Sequence, residues 1–127
     1  MDYLLDTHVL LWAMFDDAKL SQSAQKILAD VNIPKFISVS SIWEIAIKNR
    51  IGKLPLPMGI DGVFSRVDAL GCGLLGVDQQ HIETYVTLPL LHRDPFDGII
   101  IATAMLEKMT IVTMDENIQK YDVPWTW

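Results

Sequence analysis

The sequence predicts an α/β fold of three layers, a central parallel sheet with helices on both faces. Three observations carry that prediction. Short apolar runs alternate with longer segments whose apolar residues recur at helical spacing, the pattern of strands joined by helices rather than by tight hairpins. Connections of that length place successive strands parallel through right-handed crossovers. The chain has 127 residues, half of them hydrophobic and a fifth charged, which suits one core of ordinary size, and no Gly, Ser, Pro or single-charge tract marks disorder. A single domain over residues 1–127 is expected.

Taken in order, Tyr3 to Leu5 is an apolar run that ends at Asp6, and Val9, Leu10, Leu11, Trp12 and Phe15 suit a helix fed by a buried strand. Ser21 is placed to cap a second helix through about Val31, with Ala24, Ile27, Leu28 and Val31 on one face. Asn32 to Lys35 breaks the pattern, and Phe36 to Val39 reads as the second strand. Ser40 or Ser41 then caps a helix carrying Ile42, Trp43, Ile45, Ala46 and Ile47, with Glu44 in its first turn. That helix stops near Gly52. The prolines within Leu54 to Pro57 cannot extend it, because each removes a backbone donor and restricts its predecessor.

A modest helix is expected over Ile60 to Leu70, and a weak strand at Leu74 and Leu75 between Gly71 and Gly76. Asp78 caps the next helix, through Leu88. After Pro89 a loop ends at His92-Arg93-Asp94, and Pro95 fits the first position of a helix running through Ile99 to Leu106. That helix is apolar nearly all round, which implies deep burial. Thr110 to Thr113 is the following strand, with Asp115 directly after it, and Val123 to Trp125 adds a short edge strand.

The net charge of -6, from 16 acidic residues against 10 Lys and Arg, argues against a protein that holds nucleic acid by a general positive field. It does not exclude an RNA substrate, since cations bound to clustered carboxylates reverse the local sign. The one cysteine, Cys72, forms no intramolecular disulfide and suits a reducing compartment. No signal pattern opens the chain and no apolar run approaches the roughly 20 residues of a membrane span. A cytoplasmic protein with no membrane association is expected.

Asp6, Glu44 and Asp115 each follow a predicted strand, the position where ligand sites form in open α/β sheets. Asp97, in the first turn of the apolar helix, reaches the same edge. Gathered carboxylates repel one another and stay ionised together only when cations join them. Oxygen-only donors suit Mg²⁺ or Mn²⁺; the one cysteine and the widely spaced His8, His81 and His92 make no zinc set. Each acid also has a structural explanation. Glu44 completes an S-x-x-E capping box with Ser41, Asp94 and Asp97 occupy the cap and third positions of the Pro95 helix, and Asp6 and Asp115 stand where each would cap the helix after its strand.

Four segments, taken together and in order, resemble the PIN-domain family: Leu5-Asp6-Thr7-His8, Ser41-Ile42-Trp43-Glu44-Ile45-Ala46-Ile47-Lys48, His92-Arg93-Asp94-Pro95-Phe96-Asp97 with Ile101-Ala102, and Val112-Thr113-Met114-Asp115. With Gly52-Lys53-Leu54 and its prolines and the tail Tyr121-Asp122-Val123-Pro124, the chain is similar throughout to the VapC-type toxins of bacterial toxin-antitoxin pairs. The resemblance implies a PIN fold and a Mg²⁺- or Mn²⁺-dependent endoribonuclease in which Asp6, Glu44, Asp97 and Asp115 hold the metal. It also implies a homodimer and a cognate antitoxin as partner. Asp94 matches a further acid of the subgroup, a ligand, an outer group or the helix cap. Gly98 departs from the pattern, for the subgroup often carries Arg there; Arg93 or Lys48 is a candidate replacement.

The mechanism implied is metal-assisted hydrolysis of an RNA phosphodiester, with no side-chain nucleophile. Thr7 and Thr113 are supporting candidates that would hydrogen-bond a carboxylate or phosphate oxygen, against the plain reading of β-branched strand-end residues. Lys48, Arg50 and Lys53 are RNA-binding candidates, along with Arg93, against the reading of a solvated helix end. His8 is a candidate for assisting proton transfer, against the plainer expectation of a packed histidine, and His92 carries no assigned role. Trp12, Trp43, Trp125 and Trp127 read as core or interface packing. Two other readings compete. A haloacid dehalogenase-type phosphatase also begins with a strand-end Asp, but His8 stands where its second Asp belongs. A non-catalytic PIN-like module would bind RNA or protein without cleavage.

Overall fold

Strand β1 (Tyr3–Leu5) sends its two leucines into different apolar clusters, Leu4 into one and Leu5 into the other. Side chains alternate across a strand, so a strand buried on both faces has to be apolar at successive positions. The computed structural model describes residues 1–127. After β1 come α1 (Thr7–Phe15), α2 (Gln22–Ala29), β2 (Lys35–Ser38), α3 (Val39–Arg50), α4 (Gly59–Ala69), β3 (Gly73–Leu75), α5 (Gln79–Tyr85), α6 (Pro95–Glu107), β4 (Thr110–Val112), α7 (Glu116–Gln119) and β5 (Trp125–Thr126). A short 3-10 turn, Asp17–Lys19, joins α1 to α2.

The five strands form one sheet in the order β3-β2-β1-β4-β5, every pair parallel. Register places Leu4 beside Phe36 on one side and Ile111 on the other. Leu5, Ile37 and Val112 meet helices α1 to α4 on one face, through residues such as Leu10, Ile27, Ile45 and Val63. On the opposite face Leu4 and Ile111 meet Ile100, Ile101 and Ala104 of α6 and Ile118 of α7. The fold is the three-layer α/β arrangement expected, a five-stranded parallel sheet with seven helices. No helix is long and apolar enough to cross a membrane.

Several boundaries differ from expectation, each for a local reason. The cap of α3 is Ser38, not Ser40 or Ser41. Its hydroxyl accepts the Ser40 N–H at 3.1 Å, so Val39, β-branched and strand-like in isolation, becomes the first helical residue. Lys35 belongs to β2 rather than to the break before it. Helix α2 ends at Ala29, short of Val31, where Asp30 turns the chain by accepting the Asn32 N–H. Helix α5 ends at Tyr85, short of Leu88. Tyr121 and Val123 pack into the α6 cluster, which moves β5 to Trp125–Thr126.

Candidate metal centre

The sheet reverses its direction of growth between β1 and β4. From β1 the chain builds outward through β2 to β3, then returns to lay β4 on the other side of β1. Such a switch point opens a crevice at the carboxyl ends of the two strands, because the helices leaving them diverge to opposite faces. Asp6 follows β1 directly and Asp115 stands just past β4. Glu44 comes from α3, which leaves the neighbouring β2, and Asp97 from the first turn of α6.

Asp6 occupies the N-cap position of α1, yet its side chain makes no cap hydrogen bond. It is 2 % exposed and accepts instead from the Thr113 hydroxyl at 2.9 Å, a contact that spans the switch point. The Thr113 hydroxyl in turn accepts the Asp115 N–H at 2.9 Å, fixing its one proton toward Asp6. Burial pushes the Asp6 carboxyl above its ordinary value; the Thr113 bond and His8 pull it back, and Asp115 pushes it further up.

Glu44 does not sit in the first turn of α3, and no Ser41–Glu44 capping box exists, because the helix begins at Val39. The carboxylate lies a turn further in and is buried, with Oε1 2.9 Å from the Thr7 hydroxyl and Oε2 2.9 Å from Lys48 Nζ. Ser41 Oγ stands 2.8 Å from the same Thr7 hydroxyl. Both threonines therefore hold carboxylates.

Asp94 is the cap of α6, its Oδ1 accepting from the Phe96 N–H at 2.9 Å and the Asp97 N–H at 3.3 Å. Asp115 similarly caps α7 by accepting the Asn117 N–H at 2.9 Å. Asp97 does no such work. It is buried, its Oδ2 lies 3.1 Å from His92 Nε2, and its carboxyl is pushed up to about 8, first by burial and then by Asp94, Asp6, Asp115 and Glu44 in turn. The tightest donor group is His92, Asp94 and Asp97, whose ligand atoms lie within 4.8 Å of one another. Asp6, Asp115 and Glu44 lie outside that group but near enough that each raises the Asp97 carboxyl. The donors are carboxylate oxygens with one imidazole, that of His92, among them, a set that fits a divalent cation such as Mg²⁺ or Mn²⁺.

Positive charge at this edge is sparse. Lys48 is paired with Glu44, while Arg50, Lys53 and Arg93 are exposed and make no ion pair. A Cβ at Gly98 would run into the Tyr85 ring, which is packed directly on that glycine. The space a longer residue would need there is filled by α5. Of the histidines, His8 is exposed against Trp12 rather than packed in the core, His81 is buried, and His92 lies in the site with its backbone N–H donated to the Tyr121 hydroxyl. The tryptophans divide similarly: Trp12 stacks edge-on to Trp127, whereas Trp43 is 63 % exposed beside Phe96.

Sequence reasoning left Ser41 and Tyr121 out of the site and gave His92 no role. The available signal was the S-x-x-E spacing, which pointed at Ser41 and Glu44 but for helix capping, and the His92–Asp97 spacing across a helix start. Neither fixes a distance until Ser38 is known to cap α3 and Tyr121 to anchor the loop before α6.

A model of the PIN domain matches residues 3–124. No curated protein matches the sequence. Among solved structures, the chain is similar to VapBC2 from Rickettsia felis bound to a DNA fragment from their promoter, at TM-score 0.73 and 18% identity over 99% of this chain and 98% of that one. VapBC-1 from nontypeable Haemophilus influenzae gives 0.70 and 19%, over 99% and 97%. FitAcB from Neisseria gonorrhoeae gives 0.66 and 18%, over 98% and 96%. At such identities these structures speak for the fold, and the family match over nearly the whole chain speaks for descent: the chain belongs to the PIN-domain family.

Proposed function

We propose that the chain is a Mg²⁺- or Mn²⁺-dependent endoribonuclease acting as the VapC-type toxin of a toxin-antitoxin pair. One observation carries the reading. Asp6, Glu44 and Asp97 are buried carboxylates gathered at the carboxyl edge that cap no helix, although Asp6 stands at an N-cap position. Buried like charges cost stability unless a cation joins them. In a PIN-family chain, that cost is best explained by a metal-binding requirement.

Asp6, Glu44, Asp97 and Asp115 would hold the ion, with Asp94 able to offer only the oxygen its cap leaves free. A bound divalent ion supplies Lewis-acid activation of water and neutralises charge on the phosphodiester. The protein's own part is orientation. Thr113 holds one Asp6 oxygen, Thr7 one Glu44 oxygen and His92 one Asp97 oxygen, so each carboxylate keeps a fixed rotamer. Arg93, exposed one residue before the α6 cap, is the candidate beside the acids for an RNA phosphate, with Arg50 and Lys53, exposed at and past the end of α3, as more distant candidates.

The solved structures of similar fold are named as VapBC and FitAcB pairs, which supports a cognate antitoxin as partner. A groove of ≈ 510 Å³ walled by Val39, Trp43, Val77, Ile82, Phe96 and Ile99 supports the homodimer, since apolar surface of this kind gains from being covered. The deciding experiment sets the unsubstituted protein and Asp6→Asn against structured and unstructured RNAs in Mg²⁺, Mn²⁺ and EDTA. Cleavage should fall by at least about a hundredfold in the variant and cease in EDTA. Cleavage that survives both sinks the reading. Binding of RNA without any cleavage by the unsubstituted protein favours the non-catalytic module instead.

A further inference from the structure

Glu44 differs from the other acids of the site in one respect. Asp6 and Asp97 each have one oxygen held by a neutral or imidazole partner, Thr113 or His92. Glu44 has both oxygens held, Oε1 by Thr7 and Oε2 by the Lys48 ammonium at 2.9 Å. An i,i+4 Glu–Lys pair is commonplace on an exposed helix face, where each partner is solvated and the pair contributes little. This pair is asymmetric: the Glu44 side chain is 8 % exposed and that of Lys48 is 37 %. The carboxylate depends on its cation, whereas the cation has water to turn to. Lys48 also lines a cleft of ≈ 340 Å³ with Glu44, Ile47, Asp94, Pro95 and Phe96, open beside the acids and beside the N-terminus of α6.

We propose that Lys48 is the site's resident counter-ion, which neutralises Glu44 in the metal-free protein and, once a divalent ion takes that carboxylate, turns into the cleft to bind the substrate phosphate. The inference rests on the metal reading above and extends it. Two cations cannot share Glu44 without repelling each other, so occupation by one weakens the hold of the other. Lys48 is the residue best placed to do this. The position after Asp97 supplies no positive group, being Gly98 closed by Tyr85, whereas Lys48 lines the cleft itself on a four-carbon stem with a mobile ammonium.

Competition makes an opposite-sign prediction. Lys48→Gln removes the rival cation, so Mn²⁺ measured alone by electron paramagnetic resonance should bind about three- to tenfold more tightly. The same variant should lose about tenfold in kcat/KM for RNA at saturating Mn²⁺, and Lys48→Arg should recover most of that loss. Labelled single-stranded RNA in EDTA should bind the variant and the unsubstituted protein alike, because Lys48 is then committed to Glu44. Mn²⁺ affinity that falls or stays the same in Lys48→Gln overturns the proposal, for it makes Lys48 merely a brace for Glu44. Should Lys48→Gln fail to fold, the unsubstituted protein answers the question: the Lys48 Nζ nuclear magnetic resonance signal, protected by Glu44 without metal, should exchange rapidly after Mg²⁺ is added. Continued protection overturns the proposal. If the unsubstituted protein binds no Mn²⁺ at all, the metal reading itself fails and this inference goes with it, a result distinct from binding that ignores Lys48.

Discussion

Strand β2 has buried ionisable chemistry at both ends, handled in opposite ways. At its start Lys35 is 1 % exposed, and its ammonium donates to the carbonyls of Asp30 at 2.8 Å and Ile33 at 3.2 Å. The buried cation is wrapped by neutral dipoles from the loop before it, and its charge closes that loop onto the sheet. Past the other end stand Glu44 and, across the switch point, Asp6 and Asp97, buried acids whose neighbours include one another. A buried group kept for architecture is surrounded by what satisfies it. The carboxyl edge keeps like charges together, a cost that a structural role does not explain.

If that division is right, the two ends should answer substitution with opposite signs. The largest effect is expected at Lys35. Lys35→Ala removes the ammonium from both carbonyls, of which Asp30 still accepts the Ile33 N–H at 3.1 Å, and it deletes a fully buried stem, so urea unfolding should show a loss of about 3 kcal/mol. Lys35→Met, which restores the stem, should recover part of it. Mn²⁺ affinity should not change in either variant. A stable Lys35→Ala protein would mean that the amino end is not held as described.

At the acid edge the metal-free protein should gain stability when charge is removed. Asp97 has a folded value of about 8 against an ordinary 3.8, so between those pH values the folded chain holds a proton that the unfolded chain has released. Unfolding therefore releases a proton throughout that window, and stability falls as pH rises from about 4 toward 8. Asp97→Asn should flatten this decline and raise the metal-free melting midpoint at pH 8 by about 3–6 °C. The same variant should lose most of the stabilisation that Mn²⁺ gives the unsubstituted protein. A midpoint that drops on substitution, with EDTA present, would show that Asp97 is held by favourable contacts and would remove the argument from buried repulsion.

This contrast was only half legible in the sequence. The layers were readable because Leu4-Leu5, Ile111-Val112 and the Ile99 to Ala104 stretch are apolar at successive positions, which only two-sided burial explains. The acids were readable as a set on one edge because strand ends fix their height. What each acid does was not readable, since an acid after a strand caps a helix or serves a ligand with the same residue type. Asp94 and Asp115 cap; Asp6 and Glu44 do not, and the difference lies in Ser38 taking the cap of α3 and Thr113 reaching 107 positions along the chain to Asp6. Lys35 was invisible for a similar reason. In sequence it is a charged residue in a break; the pairing with Tyr3 makes it a strand residue, and the carbonyls of Asp30 and Ile33 let its ammonium be buried there.

The smallest expected effect tests whether the satisfied kind of site is truly separate from the acid edge. His81 is 3 % exposed; its Nδ1 accepts the Asp78 N–H at 3.0 Å, so Nε2 carries the proton and donates to Glu107 Oε1 at 3.1 Å. The ring thus ties the start of α5 to the end of α6, the helix whose opposite end carries Asp97. Asp78 and Glu107 are both solvated, so His81→Ala should cost only about 1 kcal/mol in urea unfolding, much of it from the lost capping contact. Mn²⁺ affinity should stay within about twofold, because 1.4 kcal/mol of coupling is needed to change it tenfold and α6 is anchored separately at its start by the Asp94 cap. A larger change in Mn²⁺ affinity would mean that α6 moves as a lever between its ends, and that architecture and metal site share one piece of the fold.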